Sequence, residues 1–358
     1  MFPAFAPWLL LILSWLNAFL LAYFLTPPVK RLAERLGAID YPGEARRVHD
    51  RPRPRLGGLT IFLGFTLTVL LFAQRDPRIT GILLGAVIVA AMGALDDLVS
   101  LNPWLKLIEQ IVAALIAVRC GVVFRVLSDP AALSAGGIIP IGTLSVPLTV
   151  LWIVACTNAV NLMDGLDGLA VGISLVSALT MLVASTLVSE PAVSLLLAAL
   201  TGACLGFLPY NMNPAQIFMG DVGSQLLGYL LGTVSILGLF KLHAAATFFV
   251  PLLAMALPLT DTAFAFFRRI LHGQSPFHAD RGHLHHRLLA LGLNQRQAVA
   301  LMVGASAALG ILAIVLAGNS PALRLGCLLF APVVLAAAWF YGFARRPDRM
   351  EDNMKNER

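Results

Sequence analysis

Residues 146–188 read VPLTVLWIVACTNAVNLMDGLDGLAVGISLVSALTMLVASTLV. Two apolar runs, 146–163 and 169–188, flank a polar turn carrying Asp164 and Asp167, and Asn158 and Asn161 lie at the end of the first run. Each run approaches the ~20 mostly apolar residues that take a helix across a bilayer. Neither alternates apolar with polar side chains, as a membrane barrel strand would. The stretch therefore reads as one membrane helix ending, a polar turn, and a second helix beginning.

The same pattern extends in both directions. Further runs fall near 5–26, 57–73, 79–95, 107–124, 192–209, 223–240, 244–267, 298–317 and 322–343, about eleven in all. The expected fold class is all-α: a polytopic membrane helix bundle of about 11 transmembrane helices. With 58% of the chain hydrophobic and 12% charged, no stretch is left for a soluble domain of ordinary size. One integral membrane domain is expected over 1–358, with a basic tail from about 344. The first run has no basic residue before it and no small-residue cleavage site after it, so it reads as a retained span. Cys120, Cys156, Cys204 and Cys327 are isolated and show no metal-ligand spacing, which makes them packing residues.

Loop charge gives the orientation. Lys30, Arg31, Arg35, Arg46, Arg47, Arg51, Arg53 and Arg55 lie in the first loop. Arg268, Arg269, Arg281, Arg287 and Arg296 follow the ninth run, and Arg345, Arg346, Arg349, Lys355 and Arg358 lie in the tail. Eleven spans place all three groups on one side, the cytoplasm, with the N-terminus outside and the C-terminus inside. The opposite loops carry only Arg75, Arg78, Arg125, Lys241 and Arg324. The net charge of +6 is thus a topology signal, and no nucleic-acid partner is expected. Region 125–145, with Gly136-Gly137 and Pro140, is the sizeable external loop and is expected to form a short hairpin.

Four polar clusters map to the cytoplasmic ends of these runs, although Arg and Lys alone set the topology. They are Asp96-Asp97, Asn158 to Asp167, Phe218-Met-Gly-Asp221, and His283-Leu-His285-His286. A carboxylate at a membrane boundary is costly and marks function. Asp96-Asp97 can bind a divalent cation, or one can bind while the other acts as a base; the bland alternative is a solvated turn. Lys106 opens the next helix and can hold a phosphate. Asn158-x-x-Asn161 and Asp164-x-x-Asp167 set hard oxygen donors on one side of a helical turn, beside Gly165 and Gly168. Asp221 lies in a glycine-containing turn, where it is a ligand or an N-cap. Tyr210-Asn211 offers a ring and an amide to a base or sugar, or a plain interfacial turn. In Asp280-Arg281-Gly-His283-Leu-His285-His286-Arg287, a zinc reading competes with recognition of phosphate and sugar, which the surrounding charge favours. A surface helix is the third reading of that block. Asp261, inside the ninth run, admits either a structural or a catalytic role.

Taken in order, several blocks resemble the polyprenyl-phosphate N-acetylhexosamine-1-phosphate transferases. They are His49-x-x-Pro52-x-Pro54-Arg55-x-Gly57-Gly58, Asp96-Asp97 with Lys106, Asn158 through Gly168, Asn211, Phe218-Met-Gly-Asp221, and His283-x-His285-His286. The resemblance covers roughly residues 20–343. The His-x-His-His block is similar to the branch using UDP-GlcNAc; the branch making the first peptidoglycan lipid shows three consecutive histidines, which Leu284 interrupts here. The resemblance implies transfer of GlcNAc-1-phosphate from UDP-GlcNAc to undecaprenyl phosphate at the cytoplasmic face of a bacterial inner membrane. Another UDP-amino sugar, including UDP-MurNAc-pentapeptide, is the alternative donor, and a homodimer is an admissible assembly. It also implies Mg2+, with Mn2+ as its substitute, on Asp221 and Asn161, and acceptor-phosphate chemistry at Asp96 or Asp97. Substrate contacts would come from Lys106, Asn158, Asp164, Asp167, Asn211, Arg281, His283, His285, His286 and Arg287.

Three other classes compete. A secondary transporter would place its acids near the bilayer midplane, whereas these sit at span ends. A lipid phosphatase would also use Asp and His but needs no nucleotide. A scaffold leaves the clusters unexplained.

Overall fold

The computed structural model describes residues 7–41, 52–124, 126–128, 138–238, 245–271 and 282–317. Twelve helices run through these segments: α1 (Pro7–Leu36), α2 (Gly58–Phe72), α3 (Pro77–Val99), α4 (Pro103–Arg119), α5 (Ser145–Met163), α6 (Leu169–Leu187), α7 (Pro191–Asn211), α8 (Gly220–Gly238), α9 (Ala245–Ala254), α10 (Ala256–Leu271), α11 (Leu284–Ala290) and α12 (Gln295–Ala317). Two short antiparallel pairs accompany them. β1 (Ile39–Asp40) pairs with β2 (Arg53–Pro54), and β3 (Val126–Ser128) with β4 (Ile138–Pro140). The second pair is the hairpin expected between the fourth and fifth spans.

Local chemistry sets the helix starts. Asp76 and Asn102 accept the backbone N–H of Arg78 and Trp104 at 2.8 and 2.9 Å, and a proline follows each at the first helical position. Such a cap satisfies an orphan N–H, while proline has none to lose.

Six helices among the described residues are long and apolar enough to cross a membrane: Trp8–Leu36, Pro77–Val99, Gly142–Met163, Leu169–Leu187, Pro191–Asn211 and Gln295–Leu316. Gly58–Phe72 is a shorter apolar helix. Large apolar side chains stand exposed on the outside of the bundle, among them Ile12, Phe24, Leu70, Leu84, Leu151 and Ile311. Together with the helix lengths, this marks a multi-pass membrane protein. The run expected at 322–343 lies outside the described residues, as do Arg46, Arg47, Arg51 and the basic tail.

One expected span divides. The run at 244–267 becomes α9 and α10, meeting at Met255. Pro258 supplies no N–H to the Ala254 carbonyl, which instead accepts the Ser177 hydroxyl at 2.5 Å. A neighbouring helix thus satisfies the carbonyl that proline releases.

α8 lies at the centre. Every residue from Val222 to Gly238 is buried, against α3, α5, α2 and α6. A Cβ at Gly58 would overlap the Gly223 backbone, and one at Gly93 would meet the Val222 backbone. These close approaches bring the polar ends of α2 and α3 to the first turn of α8.

Candidate active site

That first turn carries Asp221. The Pro54–Gly58 segment bonds to the chain just before it: Phe218 N–H donates to Pro54 O at 2.8 Å, Gly57 N–H to Phe218 O at 3.0 Å, and Gly58 N–H to Met219 O at 2.8 Å. Asp97, 4% exposed, fixes the helix end from across the bundle. Its Oδ1 accepts the Asp221 N–H at 3.0 Å and its Oδ2 the Val222 N–H at 3.2 Å. Arg55 donates twice to the Asp97 carbonyl, at 3.0 and 2.9 Å, and its Nε lies 3.6 Å from Asp97 Oδ1.

The two adjacent aspartates therefore do different work. Asp96 Oδ1 accepts the Leu101 N–H at 2.6 Å, which shapes the α3–α4 turn, while Oδ2 pairs with Lys106 Nζ. Lys106 Nζ also reaches Asp221 Oδ2 at 2.5 Å. One ammonium thus bridges two carboxylates from different helices. Asn161 donates from Nδ2 to Asp221 Oδ1 at 3.0 Å and to Ser224 Oγ at 2.8 Å. In this geometry Asn161 orients the carboxylate, and a ligand role requires its amide oxygen to turn inward. Asn158 sits one turn earlier and donates to Gln110 Oε1 at 2.6 Å; Gln110 in turn donates to Gln225 Oε1 at 3.0 Å. This amide chain ties α5, α4 and α8 together beneath the carboxylates.

Among the described residues, no three Asp, Glu, His or Cys side chains form a metal cage. Mg2+ does not need one, because it binds through one or two carboxylates plus substrate phosphates. Asp96 and Asp221 supply that donor set, and the Lys106 ammonium between them is a stand-in for a cation. The residues present fit Mg2+.

Asp167 and Asn211 organise the chain leading to Asp221. Asp167 Oδ2 accepts Asn213 Nδ2 and the Ala215 N–H, both at 3.0 Å. Asn211 Oδ1 accepts the Gly168 N–H at 3.1 Å, and its Nδ2 donates to Ile217 O at 3.1 Å. With donor and acceptor both engaged and the side chain buried, Asn211 is a brace for the 212–219 segment. Asp164 lies in the α5–α6 turn. Burial, then the charges of Asp221 and Asp167, push its carboxyl up to about 7. A raised folded-state value favours the fold while the group is protonated; that contribution is complete below the ordinary value of 3.8 and lost as pH rises through about 7. Asp164→Asn is therefore expected to raise the melting temperature of the metal-free protein at pH 8, with the gain vanishing near pH 4. Equal gains at both pH values would contradict this origin.

The histidine block docks on the same turn. Asp261, on α10, accepts the Leu284 N–H at 2.9 Å through Oδ1, and its Oδ2 lies 2.8 Å from His283 Nδ1. Asp261 thus caps α11 and holds His283. His283 and His285 stack with ring centroids 5.9 Å apart, and His286 lies 4.3 Å from His285. His283 and His285 lie nearly parallel, 9° apart, and His286 is tilted 43° from His285. His285 packs directly on Gly165, where a Cβ would overlap its ring. Burial, then His286 and His283, hold His285 down to about 4, so the ring is a neutral imidazole near pH 7. Gly165→Ala should displace this ring and lower turnover about tenfold, with a stability loss of about 1–3 kcal/mol typical of overpacking. Wild-type turnover would mean that the docking is incidental. Arg281 lies outside the described residues, and Arg287 falls in the last turn of α11.

The structure thus brings Asp96, Lys106, Asn161 and Asp221 into direct contact, with Asp97 bonded to the Asp221 backbone and Asn158 one turn away, bonded to Gln110. His285 joins through Gly165. Arg55, Gln110, Gln225 and Asn213 were not singled out as site residues by sequence reasoning. Arg55 had a signal in its proline- and glycine-flanked block; the three amides had none.

The signature of glycosyl transferase family 4 matches residues 79–239. The chain is 39% identical over 290 residues to a probable undecaprenyl-phosphate N-acetylglucosaminyl 1-phosphate transferase of Bacillus subtilis, covering 81% of this chain and 80% of that one. It is 39% identical over 322 residues to a decaprenyl-phosphate N-acetylglucosaminephosphotransferase of Mycolicibacterium smegmatis, covering 82% and 78%. A phospho-N-acetylmuramoyl-pentapeptide-transferase of Staphylococcus haemolyticus is 32% identical over 248 residues, covering 64% and 75%. The relatives place the chain among membrane-embedded transferases of phosphorylated sugars. The chain belongs to the polyprenyl-phosphate N-acetylhexosamine-1-phosphate transferase family.

Proposed function

We propose that this enzyme transfers GlcNAc-1-phosphate from UDP-GlcNAc to undecaprenyl phosphate, releasing UMP and forming undecaprenyl-diphospho-GlcNAc, the first step of a cell-envelope glycan. The observation that carries the reading is the Lys106 bridge between Asp96 and Asp221 at the polar ends of an apolar bundle. The acceptor has a lipid tail and the donor is water-soluble, so the reaction needs a charged site at a membrane boundary. The relatives named for N-acetylglucosaminyl transfer support the donor.

In the reaction an oxygen of the lipid phosphate attacks the phosphorus next to the sugar. The bond from that phosphorus to the bridging oxygen breaks, and UMP leaves with the oxygen. One anhydride replaces another, so catalysis amounts to positioning anions and neutralising their repulsion. Mg2+, held by Asp221 and Asp96, would supply the divalent charge at the phosphates. Asn161 orients Asp221, and Asp97 with Arg55 locks the helix end that carries it. Lys106 neutralises transferring phosphate, and Asp96 orients the acceptor phosphate. The Asn158 amide chain, Asp164 and the His283–Arg287 segment shape the donor side.

The proposed topology has eleven spans in the bacterial inner membrane, with the site and C-terminus cytoplasmic; the basic loops support it. A reporter fused to the C-terminus should read cytoplasmic, and an external signal would overturn it. The donor is tested by mass analysis of the lipid product. Undecaprenyl-diphospho-GlcNAc is expected when UDP-GlcNAc and UDP-MurNAc-pentapeptide are supplied together. Product carrying the muramoyl peptide alone would reassign the donor.

A further inference from the structure

Glu109 lies on α4 one turn beyond Lys106 and is 6% exposed. Neither carboxylate oxygen has a hydrogen-bond partner among the described residues. The reaction proposed above does not use it. Its neighbour Gln110 pins this turn of α4 to Gln225 of α8 and Asn158 of α5, while Ile108 faces outward. Glu109 is therefore held inside the bundle, next to the Lys106 bridge.

A buried carboxylate without a partner costs several kcal/mol. A cation meeting it in another state of the protein would remove that cost. The charges acting on it are Lys106 and Asp96. Three-residue spacing on a helix places Lys106 and Glu109 on the same face, within reach of each other. The Lys106 ammonium itself stands between Asp96 and Asp221, the two carboxylates that fit a divalent cation. A divalent cation and an ammonium cannot share that position without strong like-charge repulsion.

We propose that Glu109 is the second seat of the Lys106 ammonium: a divalent cation entering between Asp96 and Asp221 displaces Lys106, which turns back along α4 to pair with Glu109. Glu109 is then a positioning residue that acts through Lys106. The exchange keeps the Lys106 ammonium paired with a carboxylate in each state. It rests on reading Asp96 and Asp221 as the cation site, but not on the identity of the donor sugar.

The test is Mn2+ binding to the purified full-length protein in detergent, without substrate, read from the paramagnetic resonance of free Mn2+. Glu109→Gln should weaken Mn2+ binding about tenfold, because the displaced ammonium loses its counter-charge. The same change should raise the melting temperature of the metal-free protein, where the carboxylate is unpaired. Lys106→Met should bind Mn2+ more tightly than wild type, since no ammonium competes. In the Lys106→Met background, Glu109→Gln should leave Mn2+ affinity unchanged. Glu109→Met, apolar and similar in volume, should repeat this pattern and serves if the glutamine variant does not fold. Equal weakening in both backgrounds would overturn the proposal, because Glu109 would then act as a simple nearby charge. Unchanged affinity in the wild-type background would overturn it too. Failure of the wild-type protein to bind Mn2+ would overturn the cation site and the exchange together. A wild-type protein that turns over UDP-GlcNAc while Glu109→Gln binds Mn2+ normally would remove the exchange and leave the reaction standing.

Discussion

Asp221→Asn is expected to lower UMP release at least about a thousandfold, equivalent to about 4 kcal/mol of transition-state stabilisation. The substitution keeps the size of the side chain and leaves the helix end intact, because Asp97 bonds the backbone N–H of residue 221 rather than its side chain. It removes one of the two negative charges around Lys106, 2.5 Å from the ammonium. It also places an amide where the structure has a hard oxygen fit for Mg2+. The loss should therefore appear in turnover, with helix content preserved and little change in thermal stability. Turnover within tenfold of wild type would show that Asp221 is not at the reacting centre.

Gly220→Ala should be nearly as damaging through geometry alone. Gly220 has φ of +72°, where a side chain costs about 1–2 kcal/mol. A Cβ there would also overlap the Arg55 carbonyl and the Asp97 carboxylate. Neither can step aside easily: Arg55 lies in the segment bonded to Phe218 and Met219, and Asp97 holds two N–H groups of α8. The expected outcome is a displaced Asp221, a lower melting temperature, and about a hundredfold less turnover, the scale of a 1 Å misplacement. Gly292 is the control. Its φ is +91° and nothing lies within 4 Å of an added Cβ, so Gly292→Ala should pay backbone strain but keep its turnover. Equal loss in both variants would assign the effect to strain rather than to the site.

Membrane character was legible in the sequence because apolar run length is a local property. The positions of Asp96, Lys106, Asn161 and Asp221 followed because each stands where an apolar run ends. What the residues do to one another was less visible. Asp97 caps a helix 124 positions away, and no local pattern encodes that bond. Asn211 and Asp167 carry polar groups suited to a ligand, yet their atoms brace the 212–219 segment. The division at Met255 had a visible cause in Pro258, but the Ser177 hydroxyl that makes it tolerable lies on another helix. Glu109 falls inside an apolar run with no flanking motif, so only its burial beside Lys106 singles it out.

The decisive measurement is UMP release by the purified protein supplied with UDP-GlcNAc, with and without undecaprenyl phosphate and Mg2+. Release is expected only when acceptor and Mg2+ are both present, with near-complete loss in Asp221→Asn. Folded protein that releases no UMP under those conditions, or releases it equally without the lipid acceptor, would contradict the proposed reaction.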